Sequence, residues 1–110
     1  MQAQPELREW LQKNHYVIDE MRVVCEGEKY YEIMKVKNGQ MDQLAWSDLN
    51  LGYRVVPSVD YVSYIEHRIR VQEQVMAGLK KGKRWEALAV AHEIKEMMNE
   101  RLNLAKKQLM

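Results

Sequence analysis

"VCEGEKYYEIMKVKNGQ", residues 24–40, is a strand-like run that closes on Asn38-Gly39. The residues before it, YVIDEMRVVCE at 16–26, have a similar character, and the intervening Glu26-Gly27-Glu28-Lys29 carries a glycine able to take a positive φ. The pair reads as an antiparallel β-hairpin. In the first strand Val17, Met21 and Val23 are expected on one face and Ile18, Glu20, Arg22 and Val24 on the other, with Asp19 interrupting the first set. In the second, Tyr31 and Ile33 share one side and Tyr30, Met34 and Val36 the other. Apolar side chains on both faces of a two-stranded ribbon raise a difficulty. An isolated hairpin is marginal in water, and strands apolar on both sides belong to a covered sheet. Nothing else in the 110 residues supplies that sheet, so the chain is expected to be a piece of something larger.

Upstream of the hairpin, Pro5 suits a first helical turn, and Leu7, Trp10 and Leu11 fall three and four apart. They predict a short amphipathic helix ending near Lys13 or Asn14. Downstream, residues 41–58 read as a connector, with one helical turn expected around Met41 to Trp46, then Gly52 and Pro57. Ser58 is a suitable N-cap and Asp60 suits the first turn of the helix that follows. Val62, Ile65, Ile69, Gln72, Met76 and Leu79 form the stripe of that helix. A second helix starts near Arg84, with Ala87, Ala91, Ile94, Met98, Leu102 and Ala105 as its stripe and Leu109 at its end. Gly78 and Gly82 bracket the break between the two.

The fold class is therefore α+β: a short N-terminal helix and an antiparallel β-hairpin, then a long, coiled-coil-like antiparallel helical hairpin. The expected division is 1–40 for helix plus β-hairpin, 41–58 for the connector and 59–110 for the helical hairpin. Two narrow seams do not offset the entropy of ordering two long helices. The helical hairpin is thus expected to lean on the N-terminal part, on another copy, or on both. Tyr61, Tyr64, Trp85 and Val90, which lie off the main stripes, are expected at that second contact.

Composition narrows the function. A hydrophobic share of 46% suffices for a folded core, and the net charge of +1 hides an asymmetry. Residues 1–59 carry seven Lys and Arg against nine Asp and Glu, whereas residues 60–110 carry ten against seven. An anionic partner would dock on the second half. Cys25 is the single cysteine, so no intrachain disulfide forms and a cytoplasmic location fits best. MQAQPELREW lacks the pattern of a secretory signal, and no apolar stretch approaches the ~20 residues of a membrane span. No membrane partner is expected.

Signals for chemistry are sparse. His15, His67 and His92 show no metal spacing with one another. His92 and Glu96 lie one turn apart, and two polar groups on a wet helix face is the simpler reading. Cys25 reads as a buried inert thiol and the methionines Met97, Met98 and Met110 as ordinary helix packing. The glycines at 27, 39, 52, 78 and 82 form no nucleotide-binding pattern. No catalytic, metal or cofactor residue is assigned, and an independent enzyme is not expected.

The functional candidate is the loop with Lys80, Lys81, Lys83 and Arg84 at the tip of the helical hairpin. Four cations on a protruding element suit phosphates, with Arg68 and Arg70, taken as an exposed pair, extending the track. The competing reading is a basic loop that is merely solvated. Trp85 is positioned to stack on an unpaired base, although packing is the more ordinary fate of an aromatic.

These residues also resemble a known family. QPELREWLQKN followed by YVIDEMRVVCEGEKYYEI is similar to the late part of bacterial tRNA (adenine-22-N1)-methyltransferases. There a Leu-Arg-x-Trp-Leu helix precedes a strand and a Glu-x-Gly-Lys-x-Tyr-Glu type hairpin. The matching positions here are Leu7, Arg8, Trp10, Leu11, Asn14, Tyr16, Glu26, Tyr31 and Glu32. VVPSVDYVSYIEHRI and the basic-tipped hairpin resemble that family's C-terminal coiled-coil domain. Two positions depart from the pattern: His15 stands where the family tends to have glycine, and Leu51-Gly52-Tyr53 where it tends to have Phe-Gly-Pro.

The resemblance implies a C-terminal portion of an S-adenosylmethionine-dependent enzyme, with tRNA as partner. The cofactor would belong to a preceding Rossmann-like methyltransferase domain whose sheet the two strands complete. Its glycines and catalytic residues have no counterparts in these 110 residues, so the chain alone is not expected to methylate. Self-association as a homo-oligomer, by strand exchange or helix pairing, is expected to cover the exposed surfaces. The rival is an oligomerisation or protein-interaction module with no nucleic-acid role.

Overall fold

The computed structural model describes residues 5–110. Helix α1 spans Pro5–Lys13, strands β1 and β2 span Tyr16–Glu26 and Lys29–Asn38, and helices α2, α3 and α4 span Trp46–Leu51, Val59–Lys81 and Trp85–Gln108. The α+β class holds: a short helix, a two-stranded antiparallel hairpin, and two long helices packed on each other. The extra helix α2 begins at Trp46, not in the Met41 to Trp46 turn expected from sequence. The Asp48 carboxylate accepts the Ala45 backbone N–H at 3.3 Å and so starts the helix at that point. Met41 and Leu44 are buried on the irregular segment ahead of it.

The β-hairpin turns at Gly27-Glu28, with Gly27 at φ +63° and Glu26 paired to Lys29. Its facing differs from a strict alternation. The register slips between Ile18 and Glu20, leaving Asp19 as an unpaired extra residue. Ile18 thereby joins Met21 and Val23 on the buried face instead of facing away with Glu20 and Val24. Exposed Asp19 meets Lys37 at 3.4 Å and Arg54 at 3.9 Å.

One face of the ribbon is covered by the chain itself. Ile18, Met21, Leu51 and Ile65 are wholly buried, with Tyr61 and Tyr64 from α3 and Met98 and Ala105 from α4 packed into the same cluster. Val24 and Ile33 on the opposite face are exposed, as is Val36 near the hairpin's open end. Much of β1's outer edge is also occupied. Residues 54–56 run parallel to it, with Met21 N–H donating to Arg54 O at 3.1 Å and Val56 N–H to Met21 O at 2.8 Å. Beyond that, the Asp60 carboxylate accepts the Cys25 N–H at 3.1 Å. Any strand exchange through this fold would therefore use the edge of β2.

Both helical stripes fall where their spacing puts them. Ser58 caps α3 by accepting the Tyr61 N–H at 3.0 Å, and Ile65, Ile69, Ala91, Met98 and Ala105 are buried along the seam. Gln72 Nε2 donates to Ala91 O at 3.0 Å, so the one polar stripe residue is satisfied within the seam. The outer half of the hairpin has no third layer. Tyr61 and Tyr64 are buried against the N-terminal part, whereas Trp85, 58% exposed, and Val90, 55% exposed, do not take their expected second contact from within this chain. The molecule extends 46 Å along its longest axis.

Candidate nucleic-acid interface

The tip is built by the end of α3. The Lys83 N–H donates to Lys80 O at 3.1 Å and the Arg84 N–H to Leu79 O at 2.9 Å, the paired closure of a Schellman-type helix end. That closure needs a left-handed residue, and Lys83 supplies it at φ +57° while Gly82 remains at φ −81°. A non-glycine residue in this conformation costs about 1–2 kcal/mol. The result is a three-residue link, 82–84, from which α4 departs at Trp85.

Lys80, Lys81, Lys83 and Arg84 are all exposed. None of the four forms an ion pair or side-chain hydrogen bond with another described residue. Lys83, Arg84, Trp85, Glu86 and Ala87 line a shallow cleft on this tip. Four cations within five residues, none in an ion pair with a described carboxylate and with Glu86 as the acidic residue beside them, suit a polyanion.

The structure separates Arg68 from Arg70. Arg70 is exposed, but Arg68 is half-buried, and its Nη1 donates to Asn50 O and to the Tyr64 hydroxyl, each at 2.8 Å. It lies about three and a half turns below the tip. Its work is at the base of the hairpin, where three successive carbonyls at the end of α2 are taken by the long helices. Arg68 donates to Asn50 O, Tyr61 to Leu51 O at 2.7 Å, and Arg101 to Gly52 O at 2.5 Å. Arg101 also reaches Asp48 at 3.3 Å. Burial pushes the Tyr61 and Tyr64 hydroxyls above their ordinary pKa of 10.0, although Arg101 and Arg68 beside them pull the other way. Sequence reasoning missed this clamp, since no local pattern links residues 50–52 to Arg68 and Arg101.

Gly52 is a necessary part of it. Its φ is +119°, and a Cβ there would lie 2.7 Å from Val55 Cγ2. Cys25 is half-buried, with Sγ donating to Gly27 O at 3.5 Å. Met98 is in the core and Met110 fully exposed. Among the described residues no group of three or more His, Cys, Asp or Glu is arranged to hold a metal.

Comparison with known proteins gives these features a family. A family model described as tRNA (adenine(22)-N(1))-methyltransferase matches residues 1–103. Streptococcus pneumoniae Sp1610, a candidate tRNA (m1A22) methyltransferase, is 27% identical with a TM-score of 0.76, over 90% of this chain and 45% of its own. Its complex with S-adenosyl-L-methionine aligns at 25% identity and a TM-score of 0.73, over 90% of this chain and 42% of its own. M. capricolum TrmK, solved with S-adenosyl-homocysteine, shares the fold at 16% identity and a TM-score of 0.69, over 92% of this chain and 45% of that one. A search of curated proteins gives no match. The chain thus spans less than half the length of these solved relatives. With nearly its whole length matched, it belongs to the tRNA (adenine(22)-N(1))-methyltransferase family.

Proposed function

We propose that this chain acts as the C-terminal, tRNA-holding part of a tRNA (adenine-N1)-methyltransferase, its helical hairpin gripping the tRNA backbone. The observation that carries the reading is the tip, where Lys80, Lys81, Lys83 and Arg84 stand exposed and outside any ion pair among the described residues, in a family whose substrate class is tRNA. Arg70 extends the track along α3, while Arg68 keeps the hairpin's base in place. The lone Cys25 and the family's tRNA chemistry favour the cytoplasm.

S-adenosylmethionine belongs to the family, but the described residues do not fit it. The glycine turn after β1 leads into a second strand, and β2 runs into an irregular segment, so neither strand opens a helix through a glycine-rich loop. No step of methyl transfer is therefore assigned to this chain. The reaction would fall to a cofactor-binding domain packed against the hairpin's open side.

The test is filter binding of tRNA at two salt concentrations. Four phosphate contacts give a log-log slope of about minus three, and replacing the four tip cations with alanine should remove most of the binding. Unchanged retention by that variant would overturn the assignment. Exposed Val24 and Ile33 favour a second reading, in which the chain is an interaction or oligomerisation module. Light scattering at high concentration separates the two: self-association abolished by Ile33→Lys, together with no tRNA binding, would favour the module.

A further inference from the structure

We infer that the cleft beside Trp85 is a subsite for an unpaired nucleobase, so that the tip reads single-stranded loop structure as well as phosphate charge. The inference rests on the RNA-holding role proposed above and names what part of the RNA the tip takes.

Trp85 is the observation that needs explaining. It is 58% exposed, at the end of the hairpin where no third layer of described residues reaches, and among the described residues it makes none of the ring contacts that hold Trp10 against Tyr16 or Tyr30 against Tyr64. An exposed indole contributes little to the fold and leaves a flat apolar ring in water. Arg84 and Glu86 flank it in the chain, and the five residues 83–87, Lys83 among them, together line one cleft. A base stacked on an aromatic with cations at its flanks for the adjoining phosphates is the usual way proteins hold unpaired RNA.

The other cleft residues narrow the occupant. Glu86 shares the lining, and a carboxylate repels a phosphate placed beside it. It accepts hydrogen bonds from an exocyclic amino group, which adenine, guanine and cytosine carry and a phosphate does not. Phosphates are thus held at the rim by the lysines and Arg84, with the base inside. Double-stranded RNA keeps its bases stacked and offers the indole nothing, so the cleft discriminates loops, bulges and ends from stems.

The experiment uses the whole 110-residue chain and two labelled RNAs with equal numbers of phosphates: a stem closed by a purine-rich loop, and a blunt duplex. Fluorescence anisotropy at one fixed salt concentration reads both affinities. The unaltered protein should prefer the loop by roughly ten-fold or more. Trp85→Ala should abolish that preference while leaving duplex affinity and its salt slope in place, and Trp85→Phe should keep part of it. Circular dichroism checks that each variant is folded, which the indole's exposure leads one to expect. Preference for the loop retained in Trp85→Ala, or an equal loss for both RNAs, overturns the inference.

A second readout uses Trp10→Phe/Trp46→Phe, in which Trp85 is the sole indole. Its fluorescence should be quenched by the purine loop and not by the same loop made abasic; equal responses would also overturn it. The two proposals fail differently. If the four-alanine tip variant binds RNA undiminished, the cation reading falls. If that variant loses binding while Trp85→Ala still prefers the loop, only the base subsite falls.

Discussion

Arg8 and Glu32 form an ion pair sealed from solvent, the arginine side chain wholly buried and the glutamate 4% exposed, tying α1 to the covered face of β2. Arg8 Nε also donates to Leu49 O at 2.7 Å, so one side chain joins α1, β2 and α2. Nη2 has no acceptor among the described residues. Removing one partner of a buried pair strands the other charge, which costs about 3–5 kcal/mol. Arg8→Met and Glu32→Leu should each lower the urea midpoint sharply, whereas the double substitution should recover most of the loss. Single-variant stabilities equal to the unaltered chain's would contradict the role given to the pair.

The clamp at the base should be as sensitive, for a different reason. Arg101→Ala deletes the donors to Gly52 O, Asp48 and the Tyr61 hydroxyl, leaving a carbonyl and a phenol under-satisfied. Hydrogen bonds from charged groups are worth about 1.5–3 kcal/mol each, and their loss here is expected to total about 2–3 kcal/mol because the groups share partners. Arg101→Lys keeps the charge without the planar fork and should recover only part of it. Denaturant unfolding of the three proteins gives the order.

Alkaline pH should loosen the same region. Burial raises the pKa of Tyr61 and Tyr64 above 10.0, so the folded chain holds these protons more tightly than the unfolded chain does. Their contribution is complete below pH 10 and is lost as pH rises through the folded-state values, because the unfolded state then binds fewer protons. Thermal melting temperature should therefore fall with pH above 10, and Tyr64→Phe should shallow that fall. A fall of the same steepness in Tyr64→Phe would show that other groups dominate.

Two residues with left-handed backbones offer stabilising substitutions. His15 at φ +62° ends α1 and Lys83 at φ +57° ends α3, and glycine adopts this conformation without the Cβ penalty. His15→Gly and Lys83→Gly are each expected to raise stability by up to about 1 kcal/mol. On the proposed RNA-holding role, only the second should also weaken RNA binding, since it removes a tip cation. Calorimetry combined with the filter assay checks both halves.

Much of this was legible in the sequence, and the exceptions have physical causes. The stripes of α3 and α4, the Ser58 cap and the Gly27 turn are local patterns, and the chain obeys them. The helix α1 was legible as an element but not in its inward face. Periodicity put Leu7, Trp10 and Leu11 inward, yet Leu7 and Trp10 are exposed and Arg8 is buried, because its partner Glu32 lies 24 residues away. The slip at Asp19 was hidden for a similar reason, since burying Ile18 with Met21 is a tertiary gain that alternation does not score. At the candidate site the cations stand in the sequence as a run. That Arg68 is spent on Asn50 and that Trp85 is left 58% exposed are facts of long-range geometry. The glycine expected by family resemblance at position 15 has a concrete reason in the left-handed backbone there.

The three carbonyls gripped at residues 50–52 make the helical hairpin a lever with its fulcrum at one end. From Arg68, the grip nearest the tip, α3 runs on for about 20 Å, so a tilt of only 10° there sweeps the far end through about 3.5 Å. That is close to the rise per nucleotide along a stacked strand, so, on the proposed RNA-holding role, side chains remote from the RNA would set which nucleotide meets the tip.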